Sequence, residues 1–180
     1  MKATGIVRRI DDLGRIVIPK EIRRTMRIRE GDPLEIYTEK DGEVIFKKYS
    51  PMGDLQAVAA QLCESIGKNT GHIAAVADRD SIIAVAGAPK RELLEKRNSA
   101  ELEQLMERRE CYERGVDEQP EVLISSQDGC AVVAEAPIIT DGDVSGCVAF
   151  VSEKEDEKAD EVLLKLCQSA AQFLSKRIAV

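Results

Sequence analysis

The stretch DDLGRIVIPKEIRR, residues 11–24, decides how the first fifty residues fold. Its turn residues, Asp11–Gly14, separate two apolar segments, TGIVRRI (4–10) and RIVI (15–18). Both segments are short, rich in β-branched side chains and bounded by turn or breaker residues, so each is predicted to be a β-strand. Pro19 ends the second strand, because proline cannot donate a ladder hydrogen bond, and it suits the first turn of a following helix.

One short helix and a β-hairpin are predicted after Pro19. KEIRRTMRI (20–28) supplies about two helical turns, with Ile22, Met26 and Ile28 facing inward. LEIYTEKDGEVIFKKY (34–49) alternates around Asp41-Gly42, a dipeptide typical of primed two-residue hairpin turns. The first fifty residues are thus four short strands around one helix. A unit of this size is only marginally stable alone, which favours oligomerisation.

Charge is distributed unevenly along the chain. The net charge of the chain is −7, yet residues 1–29 hold nine Lys and Arg against three Asp and Glu, whereas residues 51–180 carry −10. Such asymmetry indicates two modules, one of which meets a polyanion. An arginine guanidinium fits a phosphate or the major-groove edge of guanine. The predicted DNA-binding side chains surround the turn and the helix: Arg8, Arg15, Arg23 and Arg24, with Arg9 and Lys20 at the periphery.

The alternative interpretation is that these arginines pair with Asp11, Asp12 or Glu21 and form an ordinary solvated surface. The local charge surplus of six argues against it. A helix-turn-helix is not expected, because one short helix between strands cannot supply that motif.

The phrases TGIVR, DLGRIVIPKEIRR and GDPLEIY resemble the N-terminal swapped-hairpin module of the AbrB family of transition-state regulators, over roughly residues 3–50. The resemblance implies an interleaved dimer in which hairpins of two chains form one β-barrel. It also implies DNA binding through Arg8, Arg15, Arg23 and Arg24, and activation or repression of sporulation genes. Antitoxins that bind DNA and a toxin belong to another branch of the same superfamily. The sequence shows no acidic disordered toxin-binding tail, which weakens that alternative.

A second domain is predicted after a short linker at 51–54 and extends over residues 55–180. Its order of elements makes the whole chain α+β, with an amphipathic helix at each end of the domain. The predicted helices are 54–66 (capped by Gly67), 89–109 and 158–178, and the predicted strands are 72–77, 82–86, 121–125, 130–139 and 144–152. On the last helix, the predicted apolar stripe is Val162, Leu163, Leu166, Ala170, Phe173 and Leu174.

The segments HIAAVADRDSIIAVAGAPK (72–90) and AEAPIITDGDVSGCVAFVSE (134–153) resemble a GAF domain, a small-molecule sensing fold related to PAS domains. The resemblance implies a ligand pocket over the sheet, or a closed domain that serves dimer or tetramer assembly. Candidate pocket residues are Ser81, Ser125, Ser126 and Gln127; the sequence does not identify the effector.

Enzymatic, metal and membrane roles have little support in the sequence. The five cysteines are widely spaced without a CxxC pair and His72 is the single histidine, so neither a metal nor another cofactor is expected. A cysteine-dependent GAF enzyme using Cys130 or Cys147 is the remaining enzymatic alternative. The chain contains no apolar run of about 20 residues and no signal-peptide pattern at its N-terminus, so we expect a cytoplasmic protein without membrane contact.

Overall fold

The computed structural model describes residues 4–116, 120–126, 130–154 and 157–179. The chain divides into two compact units, Met1–Tyr49 and Ser50–Val180. Within the described residues, no helix combines the length and the apolar character that crossing a membrane requires.

The first unit contains one helix and one antiparallel hairpin. Helix α1 spans Lys20–Thr25, and strands β1 (Leu34–Thr38) and β2 (Val44–Lys48) pair antiparallel. The hairpin is confirmed, but its turn differs from the prediction. Glu39 N–H donates to Glu43 O, and Gly42, with φ of 82°, donates to Glu39 O. This is a three-residue loop with glycine in the left-handed position, because Asp41 lacks the positive φ that a primed turn needs.

The predicted strands at 4–10 and 15–18 do not form within one chain. The sheet of the first unit contains β1 and β2 alone, and among the described residues neither segment has a ladder partner. Their apolar side chains are left in solvent: Val7 is 87% exposed and Val17 is 71% exposed. Helix α1 is also shorter than predicted. It ends at Thr25, so Met26 lies beyond it and is exposed rather than inward-facing.

The second unit is built on a five-stranded antiparallel sheet of order β4-β3-β7-β6-β5. A single 3-10 turn, Gly53–Leu55, leads into the first helix. The elements are α2 (Gln56–Thr70), β3 (Ile73–Asp78), β4 (Ile82–Ala86), α3 (Lys90–Leu93), α4 (Ala100–Arg108), β5 (Tyr112–Glu113), β6 (Ala131–Thr140), β7 (Asp143–Ser152) and α5 (Glu161–Ile178).

The sheet has a separate apolar core on each face. On one face it packs against α2 and α5, with Phe150 and Leu174 fully buried. On the other face it packs against α4 and the neighbouring loops, with Leu102 and Tyr112 buried. The segment predicted as a linker, 51–54, is packed on this unit, because Met52 lies in the core beneath α2 and α5.

Two helix predictions in this unit are wrong. One ends the helix too early, and the other joins two separate helices into one. Helix α2 continues through Gly67 to Thr70, and Gly71, with φ of 73°, occupies the left-handed cap. The charged segment 89–109 is two helices rather than one. Ser99 starts the second of them, because its hydroxyl accepts a 2.9 Å hydrogen bond from the N–H of Leu102.

Two further predictions are corrected by the tertiary structure. Residues 121–125 form only isolated bridges, Asn98 with Ser125 and Leu123 with Ala131, instead of a strand. On α5, Val162 and Phe173 are exposed. The helix has two apolar stripes, and the sheet buries the one that consists of Leu163, Cys167, Ala170, Ala171 and Leu174.

Candidate functional site

The Asp11–Gly14 turn is organised by the carboxylate of Asp11. The main chain closes with Gly14 N–H donating to Asp11 O and Asp11 N–H donating to Arg15 O, both at 3.0 Å. Oδ1 of Asp11 accepts from the N–H groups of Leu13 (3.0 Å) and Arg15 (2.8 Å). Oδ2 accepts from Nε of Arg15 at 2.9 Å. The turn therefore fixes both the backbone and the guanidinium of Arg15.

The contact between Asp11 and Arg15 leaves the arginine available. The hydrogen bond from the main-chain N–H of Arg15, followed by that from its side chain, lowers the pKa of Asp11, so the carboxylate is ionised at neutral pH. The Arg15 side chain is 68% exposed. A guanidinium has five N–H donors, and Asp11 takes one of them. The others can meet an external acceptor while the side chain is held in place.

Helix α1 presents two arginines, Arg23 and Arg24, to solvent. Its first hydrogen bond runs from Arg23 N–H to the carbonyl of the buried Pro19, at 2.9 Å. Both arginine side chains are exposed, as are those of Arg8, Arg9 and Lys20. In the part of the chain that the structure describes, none of these five cations forms an ion pair with a carboxylate. The alternative interpretation requires these cations to pair with neighbouring acids. Of the six predicted DNA-binding residues, only Arg15 does so.

Other basic residues of the first unit serve its internal structure. Lys48 donates to the carbonyl of Arg27 at 3.0 Å and lies 3.6 Å from Asp32. Arg29 N–H donates to Asp32 at 2.8 Å. Lys47 stacks over Tyr37 with its ammonium 4.4 Å from the ring centroid. The side chains of Lys47 and Lys48 therefore have contacts within the unit, and Arg29 contributes its main-chain N–H.

Two of the four predicted pocket residues of the second unit, Ser81 and Ser125, have structural roles. Ser81 pairs with Arg97, and Ser125 pairs with Asn98, so both serines flank the segment that leads into α4. The main-chain N–H of Ser81 also donates to Asp78 at 2.8 Å. Ser126 is exposed, and Gln127 lies outside the described residues.

Sequence reasoning missed Glu135, which lies in the middle of β6. This side chain is completely buried, and neither carboxyl oxygen has a hydrogen-bond partner within the described structure. Burial raises the pKa of Glu135 well above its usual range. The available signal was a single acid in an otherwise apolar run, AVVAEAPII (131–139).

Four of the five cysteines, Cys63, Cys130, Cys147 and Cys167, are buried and lack the solvent access of reactive thiols. Burial raises the pKa of Cys63 to about 12 and also raises that of Cys147, so both are protonated at neutral pH. Cys130 is buried. His72 lies with Nδ1 3.3 Å from Oε1 of Glu157, not beside a cysteine. Over the ranges that the structure covers, no three His, Cys, Asp or Glu side chains are grouped as a metal site would need.

Two protein families match the chain. The family described as "Stage V sporulation protein T C-terminal, transcription factor" matches residues 54–179. The family described as "Antidote-toxin recognition MazE, bacterial antitoxin" matches residues 7–54.

Two relatives from Bacillus subtilis (strain 168) match different extents of the chain. Stage V sporulation protein T is 44% identical over 178 residues, which cover 99% of each chain. The transition state regulatory protein AbrB is 61% identical over 51 residues, which cover 28% of this chain and 52% of the relative. The predicted resemblance of the first unit to the AbrB family is confirmed.

Among solved structures, the GAF domain of Acinetobacter phosphoenolpyruvate-protein phosphotransferase is similar to this chain. It aligns with a TM-score of 0.52 and 10% identity, and the alignment covers 69% of this chain and 82% of that domain. At this level of identity the likeness concerns the fold alone. The α+β prediction with a GAF-like second domain is confirmed.

Proposed function

The chain belongs to the stage V sporulation protein T family of transcription factors, and we propose that it binds double-stranded DNA through its first unit to regulate sporulation genes. In this proposal residues 1–50 bind DNA, 51–54 connect the domains, and 55–180 sense a signal or drive assembly. The contact residues are Arg8, Arg15, Arg23 and Arg24, with Arg9 and Lys20 at the edge.

One observation carries the proposal: six exposed cations surround a single turn and helix in a chain whose net charge is −7. Five of the six have no carboxylate partner in the described structure, and the sixth, Arg15, is held at a rigid turn. Unpaired, exposed cations in a local cluster are suited to a polyanion, because each can replace a counterion at a phosphate.

Assembly follows from the apolar surface of the first unit. The side chains of 4–10 and 15–17 are exposed and Ile18 is half-buried, and the two segments lack a ladder partner in the described chain. We infer that a second copy supplies these partners in an interleaved barrel, and that the GAF-like domains join two such dimers. Sedimentation equilibrium of the full chain at micromolar concentration is expected to give a dimer or tetramer; a monomeric mass would contradict this assembly.

The salt dependence of binding tests the DNA proposal. A dimer presents about eight arginines of the contact set, so log K should fall with log salt with a slope of about −7. Fluorescence anisotropy with a labelled promoter fragment, titrated at four or five salt concentrations, measures the slope. A slope close to zero would contradict DNA binding by this surface.

The second unit completes the proposal as a sensory or assembly domain within the cytoplasm. The family that matches residues 54–179 is described as a transcription factor, and the buried, protonated thiol of Cys147 does not support a cysteine nucleophile. We therefore propose regulation rather than catalysis as the role of the GAF-like domain, and a small effector as its signal.

An antitoxin-like role is the second candidate, favoured by the antitoxin family match over residues 7–54. That match covers only the first unit, whereas the transcription-factor relative covers nearly the whole chain. Co-purification of a small stoichiometric protein that inhibits growth would favour the antitoxin role.

A further inference from the structure

Glu135 is a buried acid with no partner in the described structure. It is fully inaccessible to solvent, and both carboxyl oxygens lack a hydrogen bond. Burying a polar group without compensation is costly, and each such group in a native protein requires an explanation. An apolar side chain in its place would make a more stable sheet, so a functional reason is indicated.

The strand register shows what surrounds Glu135. It lies opposite Tyr112 of β5 on one side and Ala149 of β7 on the other. The row continues across the sheet, because Ala149 pairs with Ala75 of β3. The next row pairs Cys147 with Ala77. Four small side chains thus lie beside the carboxyl on one face of the sheet. We call this surface the floor; it consists of Ala75, Ala77, Cys147 and Ala149.

This floor belongs to the face that α4 covers. Ala75, Ala77, Cys147 and Ala149 share one apolar core with three side chains of α4: Leu102, Leu105 and Met106. Apart from Tyr112, the side chains around Glu135 on this face are therefore small or aliphatic. A donor group of a bound ligand would supply the hydrogen bond that this buried carboxyl lacks.

We propose that Glu135 anchors a binding site, between the sheet and α4, for a small ligand with a primary ammonium group and a short apolar body. The proposal rests on the effector-sensing role inferred above and names the chemistry of that effector. An ammonium supplies the hydrogen bonds and the opposite charge that a buried carboxylate lacks. A metal ion fits less well, because the described structure places no group of three ligating side chains together.

Ligand binding should release a proton. In the free protein burial raises the pKa of Glu135 and so favours its protonated form, and a proton bound there must pass to solvent when the ammonium arrives. The nearby titratable groups, Tyr112, Cys147 and Cys167, also have raised pKa values and are neutral at pH 7. None of the charged side chains of α4 is buried. Affinity should therefore increase with pH, by up to tenfold per unit, until Glu135 is ionised in the free protein.

The test uses the full chain and n-butylammonium chloride as the probe. Isothermal titration calorimetry between pH 6 and pH 9, in pairs of buffers with different ionisation enthalpies, should give saturable binding and proton release. n-Butanol tests whether the butyl chain binds without the positive charge. KCl at equal concentration tests whether ionic strength alone produces the heat signal. Neither should reproduce the amine's binding.

Three variants separate a ligand anchor from a structural residue. Glu135→Gln should lose amine binding by tenfold or more, whereas Glu64→Gln, an exposed acid on α2, should bind like the unmodified chain. Glu135→Met should also lose binding, yet raise the melting temperature of the ligand-free protein by about 3 °C, because an apolar side chain of similar size replaces the unpartnered acid.

Several results would overturn the inference. They are an absence of amine binding throughout the pH range, equal binding of butanol, unchanged binding by Glu135→Gln, or a lower melting temperature for Glu135→Met. Anisotropy with promoter DNA is measured on the same samples. Salt-dependent DNA binding without amine binding would reject the ligand site and leave the DNA-binding function intact.

Discussion

Replacing Arg15 and Arg24 together with alanine is expected to reduce the affinity of the full chain for promoter DNA by about 1000-fold or more. An arginine contact to a base or phosphate contributes about 1–3 kcal/mol, and a dimer doubles each substitution, so four contacts are lost. Arg15 is held at the turn by Asp11, and Arg24 lies exposed on α1, so neither change removes a buried packing contact. Electrophoretic mobility shift with a pool of promoter fragments measures the loss.

The salt slope and a control variant in the same unit make this result specific. With about half of the arginine contacts removed, the slope should fall from about −7 to about −3.5. Lys47→Ala removes one cation from the same unit, but this lysine stacks on Tyr37, and its removal should change affinity by less than about threefold. Equal losses in both variants would indicate a general charge effect. Unchanged affinity in the double variant would exclude the proposed surface.

Elements that depend on local signals were predictable from the sequence. The hairpin of β1 and β2 follows from alternation around a glycine turn, and β4 from an apolar run between polar turns. The predicted start of α1 after Pro19 also agrees with the structure, because proline at this point has both a fixed φ and no hydrogen bond to lose.

Elements that depend on other parts of the fold could not be predicted. Segments 4–10 and 15–18 are not strands in the described chain, and residue patterns do not specify which segment a strand pairs with. Gly67 resembles a helix cap in the sequence, yet it lies inside α2, where a side chain would meet the carbonyl of His72 at 3.1 Å. The glycine is needed there for close packing of the helix on the strands rather than for a turn.

The two candidate sites, the exposed cations and Glu135, also differ in whether local sequence features reveal them. The exposed cations follow from a local surplus of charge, which is visible without a structure. The burial of Glu135 depends on the pairing of β6 with β5 and β7 and on the position of α4, which are long-range features. In a sequence, a single acid within an apolar run fits a solvent-facing position of an edge strand equally well.

Replacing Gly146 with alanine is expected to destabilise the second unit by about 3 kcal/mol and to lower its melting temperature by about 6–12 °C. Gly146 lies in β7 opposite Asp78 of β3. A Cβ at this position would lie 2.1 Å from the carbonyl oxygen of Ala77 and 3.0 Å from Cα of Asp78. Both obstacles are backbone atoms of a buried ladder, so no side chain can rotate away to make room.

Gly53→Ala is the matched control, since the same methyl group at Gly53 meets nothing within 4 Å. This glycine lies in the 3-10 turn before α2 without a positive φ, so its substitution should change stability by less than about 0.5 kcal/mol. Thermal unfolding followed by circular dichroism, at one protein concentration because assembly contributes to stability, compares the two variants. If Gly146→Ala melted like Gly53→Ala, β3 and β7 could not be paired as the register of Asp78 with Gly146 requires.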